Sequence, residues 1–592
     1  MTIPPFHLLR AETVRFTGLR SGSAPLSWGQ HAIWKSIQWL GKEDHYFNIP
    51  RALPVPPGHT SDQVVEVVAH LIRRHEALRA TFADGPQGPV QTVHSDGEVR
   101  VEIRETPQLL SHEQALDQAQ QLADVSFAHA DEFGMRYVVV ENGGIPTWLL
   151  LVVSHQSTDF FGIRVLEREL GDLFAGDRLP PVDWFPLDQA RFQQEGDGAA
   201  RGRASLDYWR RQLIRVPRSH FDFPQGADGA QDDPERFVRL RLDSPAGAVA
   251  AEALATRCEV STSTVLLTAA AVVIAAYSGH DTAVLQLISG NRNEPRLRDM
   301  LGAQTENALF VLGLSSGTFE DAIRRCFMPS MSSYRYGEYH PPSMDRVHAE
   351  VQRERGVALD LSSFFNDVRM KDRWEDLPET DGSAEQLREL AARSTVSFIG
   401  AWPRQDAKYF VHATYAPDTL HLYLMADTAY LPRPLIERLL HAMEALLVNS
   451  VHGTVDVREA TGADRAERPS TWSFLDACWF DRDAVAALVT GAAGGTATVE
   501  PVEDEDGRTR LVAEVVVRDG AEGAPGTEAA SGTDAARGTE QALAAVAGPV
   551  DPAALHEAVV AALAGRTDVV APHRYRIRSL SGELLAEGTG RP

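Results

Sequence analysis

The sequence is short of cysteine: Cys258, Cys326 and Cys478 are the only three in 592 residues. Three thiols cannot build a disulfide framework, and no pair has the spacing of zinc ligands, so no metal is expected. They fit a reducing compartment, and the expected location is the cytoplasm. Positive charge is scarce as well. Lys plus Arg number 57 against 82 Asp plus Glu, a formal net charge of −25. General nucleic-acid and anionic-membrane binders need a basic surface, so neither partner is expected. Long apolar runs are missing too. The longest, Val265 to Tyr277, is broken only by Thr268. It is too short to span a bilayer and reads as a buried core helix. The opening MTIPPFHLLRAETVRF has no apolar core long enough for a secretion signal. Common catalytic signatures are also absent: no GxGxxG after a strand, no Walker A lysine, no HExxH and no GxSxG.

What is present is a globular chain. Hydrophobic residues make up 43%, enough for packed cores, and the length predicts two to four domains. Ser61 to Ala80 has helical periodicity, with Ser61 as its N-cap and Asp62 in its first turn. Val99 to Ile103 alternates as a strand, and His112 to Ala128 reads as a second helix. Met135 to Glu141 and Trp148 to Val153 read as two strands joined by Asn142-Gly143-Gly144, a turn signal. Phe161 to Phe174 returns to helical period. Pro180-Pro181 marks a boundary. Beyond it, helices are expected at Ala204 to Leu213, Ser261 to Ser278 and Arg433 to Leu447. Strands are expected at Phe237 to Leu242, Thr282 to Ile288, Val396 to Ile399, Phe410 to Thr414 and Thr419 to Met425. The reading is α+β in two lobes, 1–180 and 181–465, followed by a small α/β unit, 466–592. That unit has strands at Ala497 to Pro501, Leu511 to Val517 and Tyr575 to Leu580, and a helix at Pro552 to Ala564. A flexible Ala/Gly/Glu/Thr-rich insert at 519–546 interrupts it.

One segment concentrates the chemistry: Ser154-His155-Gln156-Ser157-Thr158-Asp159-Phe160. The apolar strand WLLLVV delivers a histidine at its C-terminal end, and a strand end is a rigid mount for a catalytic imidazole. Taken alone, His155 reads as an ordinary hydrogen-bonded histidine and Asp159 as an ordinary helix N-cap. The wider pattern changes that weighting. SHQSTDF resembles the HHxxxDG motif of the condensation domains of nonribosomal peptide synthetases. Other matches come in that family's order. Leu26 to Trp34 (LSWGQHAIW) resembles the opening SxAQxRLW, and Tyr46 to Pro50 resembles YNIP. Arg74 to Phe82 (RHEALRATF) is nearly the full RHExLRTxF. Tyr208 to Leu213 resembles the YWxxxL helix, and Gly290 to Glu294 resembles GRxRPE. Leu301 to Asn307 sits where VGxFxNT is expected. The resemblance covers about residues 20 to 460.

The resemblance implies two chloramphenicol-acetyltransferase-like lobes in a V with a tunnel between them. It implies acyl transfer: an acyl or aminoacyl thioester on a carrier protein's phosphopantetheine is attacked by an amine or hydroxyl, giving an amide or ester. No cofactor would be held by the chain itself, and the carrier protein would act in trans. Carried over to this sequence, His155 is the catalytic residue. Asp159 supports the site structurally, with Arg292 from the other lobe as its partner. Ser154 stands where the family has its first, supportive histidine. Phe160 stands where the motif has glycine, so its side chain narrows the tunnel or shifts the loop. Ala303, Gln304 and Thr305 replace the usual FxN core. These departures keep a second reading open, a catalytically inactive recruitment or scaffold domain. A third, an acyl-CoA-dependent acyltransferase of the same fold, uses the same pantetheine arm. The segment 478 to 592 is weakly similar to the small C-terminal subdomain of adenylate-forming enzymes, with Arg591 at the position of the catalytic lysine. With no nucleotide-binding subdomain before it, adenylation is not expected. A degenerate unit used for docking or stabilisation is.

Overall fold

The computed structural model describes residues 6–225, 233–462, 464–517 and 551–592. The expected flexible insert at 519–546 lies outside the described residues. Two compact units result. One comprises Met1–Leu206 with Ile288–Ala308 and Tyr334–Met344; the other comprises Asp207–Leu287, Leu309–Ser333 and Asp345–Pro592. Arg292 therefore belongs to the same unit as Asp159 rather than to a second lobe beginning at 181, and the small C-terminal region shares a unit with the segment that precedes it.

The first unit is built on strands β1 (His7–Phe16), β2 (Gly22–Pro25), β3 (Asn48–Pro54), β4 (Ala80–Gly85), β5 (Gly88–Val93), β6 (Gly97–Glu105), β7 (Met135–Asn142) and β8 (Ile145–Ser154). Five of these form one sheet in the order β1-β6-β7-β8-β3, and β2-β5-β4 form a small second sheet. β7 and β8 are the hairpin read from the sequence, and Gly143 and Gly144 take the positive φ its turn requires. Helices α1 (Trp28–Leu40), α2 (Ser61–Arg74), α3 (His112–Ala123) and α4 (Phe160–Phe174) complete it. Val64, Val68, Leu71 and Ile72 of α2 pack with Leu149, Leu151, Val153, Ile163 and Leu166 in one core, the alternation of β8 meeting the 3.6-residue period of the helices. The N-cap of α2 is Thr60, one residue before the expected Ser61. Thr60 closes a capping box with Gln63, while the Ser61 hydroxyl donates to Glu141.

The motif RHEALRATF has a physical purpose here. His75 bonds Glu169 of α4 at 2.7 Å, and Arg74 grips the same carboxylate through two nitrogens at 3.0 and 3.1 Å. Burial raises the Glu169 pKa, but the His75 and Arg74 hydrogen bonds outweigh it and hold the carboxyl below its usual range. The result pins α4 against α2, and α4 is the helix that follows the His155 loop.

The second unit carries β9 (Phe237–Ser244), β10 (Thr282–Ser289), β11 (Glu306–Gly313), β12 (Ser363–Asp367), β13 (Thr395–Trp402), β14 (Tyr409–Thr414) and β15 (Leu420–Asp427). Their order is β11-β10-β12-β14-β15-β9-β13, with β10, β12 and β14 parallel. The helix Thr262–Ser278 is buried all round, as its unbroken apolar run requires. Among the described residues no single helix is long and apolar enough to cross a membrane. The C-terminal region adds the hairpin β16 (Trp472–Leu475) and β17 (Cys478–Asp481). It also adds a four-stranded sheet of β18 (Thr496–Glu503), β19 (Thr509–Val516), β20 (Arg574–Arg578) and β21 (Leu584–Thr589) in chain order. Helices Arg482–Ala493 and Pro552–Ala561 cover it, and Val357 from the preceding segment joins their core.

Arg218 fastens this region in place. Fully buried, its guanidinium donates to the carbonyls of Trp479, Thr567 and Val569. The variant Arg218→Met is expected to strand these acceptors and cost roughly 3 kcal/mol. Thermal melting would show this as a drop of several degrees; an unchanged melting temperature would show that the clamp carries no stability.

Candidate functional site

β8 lies between β7 and β3, so its end is held on both sides. At that end Ser154 N–H donates to Gly134 O at 2.9 Å and His155 N–H donates to Phe47 O at 3.1 Å. The chain then turns: Ser157 N–H returns to Ser154 O, and Gln156 N–H to the Ser154 hydroxyl. Ser154, at the position of the family's first histidine, is thus a buried turn former.

The His155 ring is half-buried and meets the Phe47 ring edge-on, with centroids 5.9 Å apart. Neither ring nitrogen has a hydrogen-bond partner among the described residues, and Nδ1 is buried. A purely structural histidine behaves differently, as His75 does with Glu169. Burial lowers the His155 pKa, opposed more weakly by its own backbone and by the charge of Asp159. The imidazole is therefore neutral at pH 7 and keeps an unshared lone pair.

Asp159 is buried, and its carboxylate is fully engaged away from the ring. As N-cap of α4, its Oδ1 accepts from Gly162 N–H at 2.9 Å and from Arg292 Nη2 at 3.0 Å. Oδ2 accepts from Gln304 N–H at 2.9 Å and the Thr305 hydroxyl at 3.3 Å. Arg292 in turn gathers the loop 297–302 through Leu297 O, Met300 O and Gly302 O, at 2.7, 2.6 and 2.9 Å. The preceding Asn291 holds a left-handed backbone (φ 48°), and its amide joins Gln304 O and Gly337 O. Asp159 and Arg292 are brought together; Asp159 and His155 share no hydrogen bond.

Phe160 opens α4 with an ordinary helical backbone, so loss of the motif glycine imposes no positive-φ strain. Its ring sits edge-on to Phe161, 5.7 Å away. Gln304 and Thr305, noticed in the sequence only as departures, turn out to be ligands of Asp159. Gln156 was missed: its buried amide donates to Gln30 O at 3.1 Å. Gln156 and Gln30 both lie in quoted motif stretches, but no one-dimensional pattern shows that they meet. Among the described residues no group of three or more His, Cys, Asp or Glu could hold a metal ion.

The condensation domain family model matches residues 20–446, most of the chain, and the chain belongs to that family. Its fold is the chloramphenicol-acetyltransferase-like fold of solved condensation domains. The condensation domain from the monacolin K polyketide synthase MokA superposes with a TM-score of 0.57 at 14% identity, covering 74% of this chain and 99% of that one. SgcC5 from Streptomyces globisporus gives 0.54 at 17%, covering 72% and 98%. The X-domain in its complex with OxyB from teicoplanin biosynthesis gives 0.55 at 16%, covering 76% and 97%. Among curated proteins, chondramide synthase of Chondromyces crocatus is 26% identical over 365 residues, 57% of this chain and 9% of that protein. The bassianolide nonribosomal cyclodepsipeptide synthetase of Beauveria bassiana is 24% identical over 338 residues, 53% and 10%. The chain thus spans about a tenth of the length of these two relatives. Condensation domains are acyltransferase-type domains of peptide and polyketide assembly systems.

Proposed function

We propose that the chain is a condensation enzyme. It transfers an acyl or aminoacyl group from the phosphopantetheine thioester of a carrier protein to an amine or hydroxyl acceptor. The observation that carries this reading is the neutral, unpartnered imidazole of His155 on a loop held from several sides. His155 accepts the acceptor's proton as its nitrogen or oxygen attacks the thioester carbon. The tetrahedral intermediate collapses with cleavage of the carbon–sulfur bond, and the imidazolium returns the proton to the departing sulfur. Products are the amide or ester and the free thiol. Asp159 and Arg292 position the loop and touch no reacting atom. The chain itself holds no cofactor in this scheme; the pantetheine arrives on the carrier.

The test is intact-mass analysis of loaded carrier proteins with this protein and a panel of amines and alcohols. Loss of the acyl mass from the carrier together with a new acylated acceptor supports the reading. Acyl-CoA in place of the carrier tests the related donor. The lowered His155 pKa sets the pH dependence. Protonation removes the base, so kcat/KM falls on the acid side, with its midpoint below the ordinary imidazole value of about 6.5. A midpoint at or above that value would point to another group.

A second reading, a recruitment domain without catalysis, is favoured by Ser154 and Phe160 and by likeness to an X-domain solved in complex with OxyB. It predicts carrier or enzyme binding with no acyl loss in the same assay. Residues 466–592 we assign as a stabilising or docking appendage. In support, Arg591, at the position compared with a catalytic lysine, is 5% exposed and paired with Asp476 at 3.0 Å.

A further inference from the structure

The first turn of α1 meets both ends of the apparatus around His155: Gln156 on one side and the Ala303–Gln304 strip on the other. Its N-cap Ser27 forms a capping box with Gln30: Ser27 Oγ accepts from Gln30 N–H and Gln30 Oε1 accepts from Ser27 N–H at 2.9 Å. The Gln30 carbonyl, one turn from that cap, accepts the Gln156 amide. Ser27 Oγ also lies 3.4 Å from Ala303 O. Gly29 approaches the same strip so closely that an added Cβ would stand 2.6 Å from Gln304 Cα and 2.7 Å from Ala303 O. Gln304 is the residue whose N–H holds Asp159. The contacts close a ring: His155 to Gln156, Gln156 to Gln30, Gly29 to Gln304, Gln304 to Asp159, and Asp159 back along the loop to His155. The ring is anchored from outside, since Gln30 Nε2 donates to Gln91 at 3.2 Å and Gln91 donates to Pro25 O at 3.1 Å. Ser27, Gln30, Gln91 and Gln156 are all buried.

We propose that Gln156 and Gly29 are positioning residues for His155. This rests on the catalytic reading above and adds to it that the start of α1 sets the imidazole's place and its dry surroundings. Gln156 draws one end of the loop onto the helix. Gly29 lets the 303–304 backbone lie flush against that helix, so that Gln304 can hold the other end through Asp159. Loss of either contact lets the loop drift, and a displacement of about 1 Å at a reacting group can cost roughly 100-fold in rate. Drift also wets the ring, which returns its pKa toward the ordinary imidazole value.

Gln156→Met tests this with little risk to folding. It keeps the side-chain length, and the Gln156 Oε1 it removes has no hydrogen-bond partner. Gly29→Ala is the second variant and His155→Ala the reference. In the carrier-protein assay, Gln156→Met is expected to lower kcat about 10- to 100-fold, with KM for the loaded carrier within about twofold. Its acid limb moves to higher pH. Gly29→Ala moves both readouts in the same direction and further. Histidine-selective NMR titration gives a readout that needs no turnover: the His155 resonance titrates at higher pH in Gln156→Met than in the unaltered protein. Unaltered kcat, acid limb and His155 titration in a folded Gln156→Met overturn the proposal while leaving His155 catalysis intact. A wild-type rate in His155→Ala overturns the catalytic reading instead.

Discussion

His155→Ala is expected to abolish acyl transfer, by about 100- to 10,000-fold, while the protein melts within a degree or two of the unaltered chain. The rate effect is the usual range for removing a positioned general base. The small stability effect follows from the local geometry. The ring gives no hydrogen bond to any described residue, and the contact that holds this residue to the 3₁₀ segment Gly41–Phe47 is its backbone N–H to Phe47 O. Alanine keeps that bond. What is lost is edge contact with Phe47 and the base itself. Rate measurements on loaded carriers, paired with thermal melting, separate the two. A variant that turns over at the normal rate removes His155 from the mechanism, and one that fails to fold shows the ring to be structural.

Arg292→Met is expected to lose both stability and activity. The guanidinium is the cationic partner of a fully buried carboxylate and the donor to three backbone carbonyls. Removing one side of such a buried pair typically costs roughly 3–5 kcal/mol. Asp159 would keep Gly162 N–H, Gln304 N–H and Thr305, but lose its counter-charge. The loop 297–302 would lose its common centre, and with it the placement of Gln304. Arg292→Lys should recover only part of the loss, because an ammonium cannot match the planar fork that serves four acceptors at once. Thermal melting and transfer rates on both variants check this. Unchanged melting in Arg292→Met would mean that the pair is not structural.

Much of the fold was legible where one physical signal dominates. The apolar run of β8, the Asn-Gly-Gly turn before it and the period of α4 mark their elements to within a few residues. The helix Thr262–Ser278 announces itself by burial on every side. The misses share a cause, which is that tertiary contacts decide them. β1 is an edge strand whose HLLRAET half is largely exposed, so no alternation betrays it. The helices Phe319–Arg335 and Pro341–Arg355 were not read, the first carrying Pro329 inside it. α3 stops at Ala123 because the following Asp124 leaves helical geometry, five residues short of the expected end. At the site, it is the resemblance of the motifs to a known family, not their spacing alone, that points to His155, Asp159 and Arg292. It is silent on Gln156 and Gly29, whose importance comes from what lies opposite them in space.

Asp159 and Arg292 stand 133 positions apart, and Arg218 reaches carbonyls as far as 351 positions away. On a ribosome this imposes an order of events. The histidine turn emerges long before the cation that fixes it, and the Arg218 clamp must wait until Val569 has been made. Contacts of such range are closed late and slowly. A nascent chain therefore passes through a stage in which the His155 turn has been made but still lacks its Arg292 contact, and it is this stage that would most need a chaperone.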